Sequence, residues 1–86
     1  MLYEMNIPES GLNEGLRYEW DFGFEISLEL VESEVVLRGN RAGLISLARH
    51  LLTLAQEEIN PGTHLHLTAG QEIDSDFDLI LESMGP

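Results

Sequence analysis

The sequence predicts an α+β fold: an antiparallel sheet of four or five strands with one amphipathic helix packed on one face, as a single domain over residues 1–86. Three observations predict it. Period-two alternation flanks one long segment of helical period, turn-forming residues separate the elements, and 43% of the 86 residues are hydrophobic, enough for one modest core. A helix laid on one sheet face buries both apolar surfaces together.

Residues 1–7 alternate loosely and allow an extra N-terminal strand, and Pro8 to Gly15, "PESGLNEG", reads as a loop. In "FGFEISLEL" the residues Phe22, Phe24, Ile26, Leu28 and Leu30 fall on one side, with Glu25, Ser27 and Glu29 on the other. The pattern breaks at "VESEV" and resumes in "EVVLR", so residues 22–38 read as a hairpin turning near Glu32 and Ser33. Gly39 and Asn40 close the second strand, and Asn40 is suited to cap a helix because its side-chain oxygen accepts an amide of the next turn.

From Arg41 the spacing becomes helical. Leu44, Leu47, Ala48, Leu51, Leu54 and Ala55 form one stripe, widened by Ile45 and Leu52, and Pro61-Gly62 stops a helix of about 18 residues after Asn60. "THLHLTA" turns Leu65 and Leu67 inward with His64 and His66 outward, and "DFDLILE" does the same for Phe77, Leu79 and Leu81. The order is therefore β-β-α-β-β. The opposite sheet face presents Glu25, Glu29, His64, His66, Asp78 and Glu82.

Sixteen carboxylates against four arginines, with no lysine, give a formal charge of −12. That field repels phosphate backbones and anionic lipid and attracts basic protein surfaces, so nucleic acid and membrane are disfavoured as partners. The absence of cysteine excludes disulfide and thiolate chemistry and suits a cytoplasmic setting. No basic, apolar leader opens the chain, and no run approaches the roughly 20 apolar residues of a membrane span.

Arg38, Arg41 and Arg49 lie in "LRGNRAGLISLARH", where a strand ends and the helix begins. Their first reading is structural, as partners of carboxylates such as Glu34; their second is an anion site built from Arg38, Asn40, Arg41 and the amides that follow. His64 and His66 point the same way from a strand, but two histidines are short of a metal shell, and they read as solvated. Asp74, Asp76 and Asp78 have the first spacings of a calcium loop, which fails at Leu79 and Gly85, where glycine and glutamate are required. Ser46 and His50 are four apart on a helical face expected to be exposed and without an oxyanion hole, so no catalytic residue, cofactor or metal is expected.

The stretches "VVLRGNRAGLISLARHLLTLAQ", "PGTHLHL" and "FDLILES" resemble small bacterial immunity proteins of polymorphic toxin systems, of the immunity family thirty-two type. The resemblance covers residues 35–82. It implies a non-enzymatic protein that binds and neutralises a cognate toxin, and the acidic field makes a basic toxin the expected partner. The candidate contact residues are Tyr18, Trp20, Asp21, Glu25, Glu29, His64, His66, Asp74, Asp76 and Asp78, drawn from the polar sheet face and the loops "YEWDFG" and "AGQEIDSD". Aromatic residues among acids are the types enriched at interface hot spots, although Tyr18 and Trp20 equally suit packing over the sheet end. Open sheet edges also allow a homodimer.

Overall fold

The computed structural model describes residue 4 and residues 18–86. The N-terminal strand and loop expected over residues 1–15 lie outside the described residues, apart from residue 4. Four strands and one helix follow in the expected order: β1 (Ile26–Val31), β2 (Glu34–Gly39), α1 (Arg41–Leu54), β3 (His64–Leu67) and β4 (Leu79–Glu82).

The strands form two antiparallel two-stranded sheets, β1-β2 and β3-β4, in place of the single sheet expected from the alternation. What separates them is the segment 69–74. Its Gly70 has φ +80°, and Gly70 N–H donates to the Ile73 carbonyl, which turns the chain back on itself. Asp74 then bonds to the outer edge of β1: its N–H donates to the Ile26 carbonyl at 2.8 Å and its carbonyl accepts from Leu28 N–H at 3.0 Å. An inserted bridge residue thus occupies the edge that a third strand would have taken.

The first hairpin turns at Glu32 and Ser33 as expected, with φ +50° and +71°. Both central residues of such a two-residue turn need positive φ to match the twist of the strands. β1 nevertheless begins at Ile26, not Phe22. Gly23, at φ +78°, and the Phe24 N–H bond to the Asp21 carbonyl make a turn, and Phe22 lies fully exposed at its tip.

Asn40 caps α1 with its side-chain oxygen accepting from Gly43 N–H at 2.8 Å. The helix is 14 residues long, shorter than its apolar pattern suggests, and ends at Leu54 with Ala55 as cap. Glu57 and Glu58 would sit at the negative end of the macrodipole. Turning away instead lets Ile59 reach the interior, where it is buried.

Ile26 and Leu28 from β1, Leu47 from α1, Leu67 from β3 and Ile73 from the inserted segment form the core cluster. Each such side chain removed from water contributes about 1.5–3 kcal/mol. Trp20, Leu37, Leu65, Leu79 and Leu81 pack around it. Leu47 and Leu54 of the expected stripe are buried, and with them Gly43, Ser46, His50 and Thr53, which hydrophobicity does not pick out, while Leu44, Leu51 and Leu52 of that stripe are about half exposed. Ser46 and His50, expected on an open face, are fully buried. No helix among the described residues is long and apolar enough to cross a membrane.

Candidate functional site

Alternation along β1 places Ile26 and Leu28 in the core and turns Glu25, Ser27 and Glu29 the other way. Ser27 is opposite Arg38 in the hairpin register, and on its other side it bridges to Asp74. The outer face of the first hairpin and the inserted segment therefore enclose a groove of about 620 Å³, lined among others by Glu25, Arg38, Asn40, Glu72 and Asp74. A second depression of about 250 Å³ shares Ser27, Arg38 and Asp74 with it and adds Glu29 and Asp76. The two make one trough with five carboxylates around a single guanidinium.

That guanidinium is held on the trough wall by Glu29, which pairs with Arg38 and accepts a hydrogen bond from its Nη1. Arg38 thus takes a structural carboxylate partner, but it is Glu29, one strand across, not Glu34. The structure brings together six of the residues singled out from sequence, Glu25, Glu29, Arg38, Asn40, Asp74 and Asp76.

At the helix N-terminus Asn40 ties α1 to the chain that leads into β1. Asn40 Oδ1 accepts from both Gly43 N–H and Glu25 N–H, and Asn40 Nδ2 donates to the Gly23 carbonyl. A Cβ on Gly43 would lie 2.3 Å from the Glu25 carbonyl oxygen, so the first turn of α1 packs directly against the Glu25 backbone.

Other candidates lie elsewhere. His66 Nε2 meets Asp78 Oδ2 at 2.7 Å on the second hairpin, while Asp78 Oδ1 accepts from Ala69 N–H. The Ala69 bond, and then His66, hold the Asp78 carboxyl below its ordinary range. His64 is turned to the Gly62 carbonyl. Among the described residues no group of three or more histidine, aspartate or glutamate side chains is placed to hold a metal ion.

Tyr18, Trp20 and Asp21 serve the interior more than the surface. The Trp20 and Tyr18 rings meet the His50 imidazole edge-on at centroid distances of 4.4 and 5.3 Å, and Trp20 stacks on Phe24. Ser46 Oγ accepts from Asp21 N–H at 2.8 Å, and Arg49 binds both the Asp21 carboxylate and the Glu19 carbonyl at 3.1 Å. This clamp straps residues 18–24 onto α1. Burial, with the neighbouring Arg49 charge, pushes His50 down to about 4 and outweighs the opposite pull of Asp21. Burial likewise raises Tyr18.

Sequence reasoning missed Glu72 and Ile73 as individual residues. Ile73 is the only apolar residue between Gly70 and Asp76, a signal that this loop is anchored in a core.

A family model described as Immunity protein 32 matches residues 34–84, from the start of β2 to just beyond β4. No curated protein matches the chain, and no solved structure does.

Proposed function

The chain belongs to the Immunity protein 32 family, whose model spans more than half of it, and from that premise we propose that it neutralises a toxin with a basic contact surface by seating that surface in the acidic trough. The observation that carries this reading is the grouping of Glu25, Glu29, Glu72, Asp74 and Asp76 around Arg38 in one concave surface. Carboxylates on low-dielectric walls focus the field of a chain with net charge −12, which speeds encounter with a cationic patch and fixes its orientation. Occlusion needs no chemistry from this chain, and the buried Ser46 and His50 have no access to a substrate. The proposed setting is the cytoplasm.

The test begins with affinity capture of the tagged chain and identification of the protein it retains. The purified partner is then titrated against the wild type and against Glu25→Lys and Asp74→Lys variants at low and physiological salt. The expected outcome is a basic partner whose association rate falls steeply with salt and by at least about tenfold in the charge-reversed variants. A partner whose binding ignores both salt and the trough variants overturns the trough as the contact surface. Growth of cells making the partner, with and without this chain, then tests neutralisation itself.

A further inference from the structure

We propose that the outer edge of β2 is self-complementary and joins two copies of this chain into a twofold-symmetric dimer with a continuous four-stranded sheet across the β1-β2 hairpins. Asn40 N–H donates to the Glu25 carbonyl, and the hairpin register pairs Val31 with Glu34 and Ser27 with Arg38. Antiparallel ladders alternate between bonded and non-bonded pairs. The even-numbered residues of β2, Glu34, Val36 and Arg38, therefore bond to β1. Those of odd number, Val35 and Leu37, direct their N–H and C=O groups away from it. Among the described residues no strand pairs with that side.

Only registers that set odd-numbered residues opposite each other can form bonds across two such edges. One of these is centred on Val36, so that Val35 and Leu37 of each copy exchange bonds with Leu37 and Val35 of the other. In this register Glu34 of each copy lies opposite Arg38 of the second, twice over, so that each Arg38 stands between Glu29 of its own chain and Glu34 of the other, and Val36 meets Val36 on the axis. Opposite charges directly across an antiparallel pair favour it, and like charges oppose it. The segment "EVVLR" thus carries opposite charges at its two ends, and an antiparallel copy of it sets each charge against its complement.

The surroundings add to this. Val35 and its cross-strand neighbour Leu30 are each 64% exposed, an apolar pair beside the open edge. β2 also lacks the proline, lysine or bulge that commonly protects an edge strand from pairing. Against association stands the charge of −12 on each copy, which keeps the dimer weak and dependent on protein concentration.

Sedimentation equilibrium of the full chain at physiological salt, from micromolar to about 1 mM, reads the association directly and does not involve the toxin, so its result stands apart from the trough reading. A monomer–dimer equilibrium is expected. Glu34→Arg alone and Arg38→Glu alone set like charges opposite each other and should each weaken the dimer at least tenfold. An equimolar mixture of the two variants restores both opposite-charge pairs and should recover a heterodimer. Val35→Pro removes an outward N–H without touching the β1 ladder, and should give a folded monomer by circular dichroism. A chain monomeric throughout the range overturns the proposal. So does a dimer indifferent to Arg38→Glu and Val35→Pro, or a variant mixture that does not re-associate.

Discussion

Two lines of side chains run along α1, and their surroundings are opposite. Ser46, His50 and Thr53 are fully buried, whereas Leu44, Leu51 and Leu52 are about half exposed. Each hydroxyl in the first line has a partner. Ser46 accepts from Asp21 N–H, and Thr53 donates to the Arg49 carbonyl one helical turn back. A buried polar group with a partner costs little, while one without a partner costs a good deal. His50 is the exception, since neither ring nitrogen has a hydrogen-bond partner among the described residues, and it remains neutral between two aromatic rings. The difference teaches that the inward face of a helix is chosen by what its neighbours can satisfy and by how closely they approach, with hydrophobicity as only one contribution.

Close approach gives the largest expected effect. Gly43 opens the buried line, and a side chain there meets the Glu25 backbone that carries β1. Gly43→Val should cost about 3 kcal/mol or more and leave little folded protein in a chemical-denaturation series. On the outward line Leu44→Val should change the midpoint only slightly. Equal midpoints for the two variants would break the comparison at its root.

His50 comes next, through pH. Its folded-state value is depressed to about 4 from an unfolded value near 6.5. Between those limits the unfolded chain binds more protons, so stability is full above about 6.5 and declines as pH falls toward 4, by about 3 kcal/mol. Among the described residues Tyr18, Trp20, Asp21 and Arg49 act on it, and none of them relieves a buried imidazolium fully. His50→Phe should keep the ring contacts and flatten the stability profile over this range. A variant with the same slope as the wild type would relocate the titration to another group. Asp78 acts in the same direction at lower pH, since a carboxyl held below its ordinary range contributes stability that is lost on protonation.

Ser46→Ala removes the acceptor for Asp21 N–H and should cost about 1–2 kcal/mol, with the loosening confined to residues 18–24 in hydrogen exchange. The smallest effect belongs to the outward leucines. Leu51→Gln should shift stability by less than about 1 kcal/mol. A larger loss would show that the exposed line is covered in solution and would sharpen the comparison by one more partner.

Much of the fold is legible in the sequence. The hairpin turn at Glu32-Ser33, the cap at Asn40, the helix from Arg41 and the two later strands all follow from local chemistry: alternation, positive-φ turns and a side chain that can replace a missing acceptor. The polar faces of the strands were legible for the same reason, and with them Glu25 and Glu29 of the trough. Family membership was legible too, in the run from β2 through α1 to β4.

What local pattern could not decide was how these pieces meet. Period two runs straight through Phe22 and Gly23, yet a turn at Gly23 exposes Phe22. Apolar residues outnumber the polar ones on α1, yet contact with Tyr18, Trp20 and Asp21 rotates the helix toward Ser46 and His50. A single sheet was the simplest closure of four strands, and the bonds from Asp74 to Ile26 and Leu28 divided it in two. The sequence by itself determined the elements and their polarity, because those depend on neighbours within a few residues. Only the tertiary structure decided the inward face of the helix and the acidic trough, because both depend on groups dozens of residues apart competing for the same hydrogen bonds and the same space.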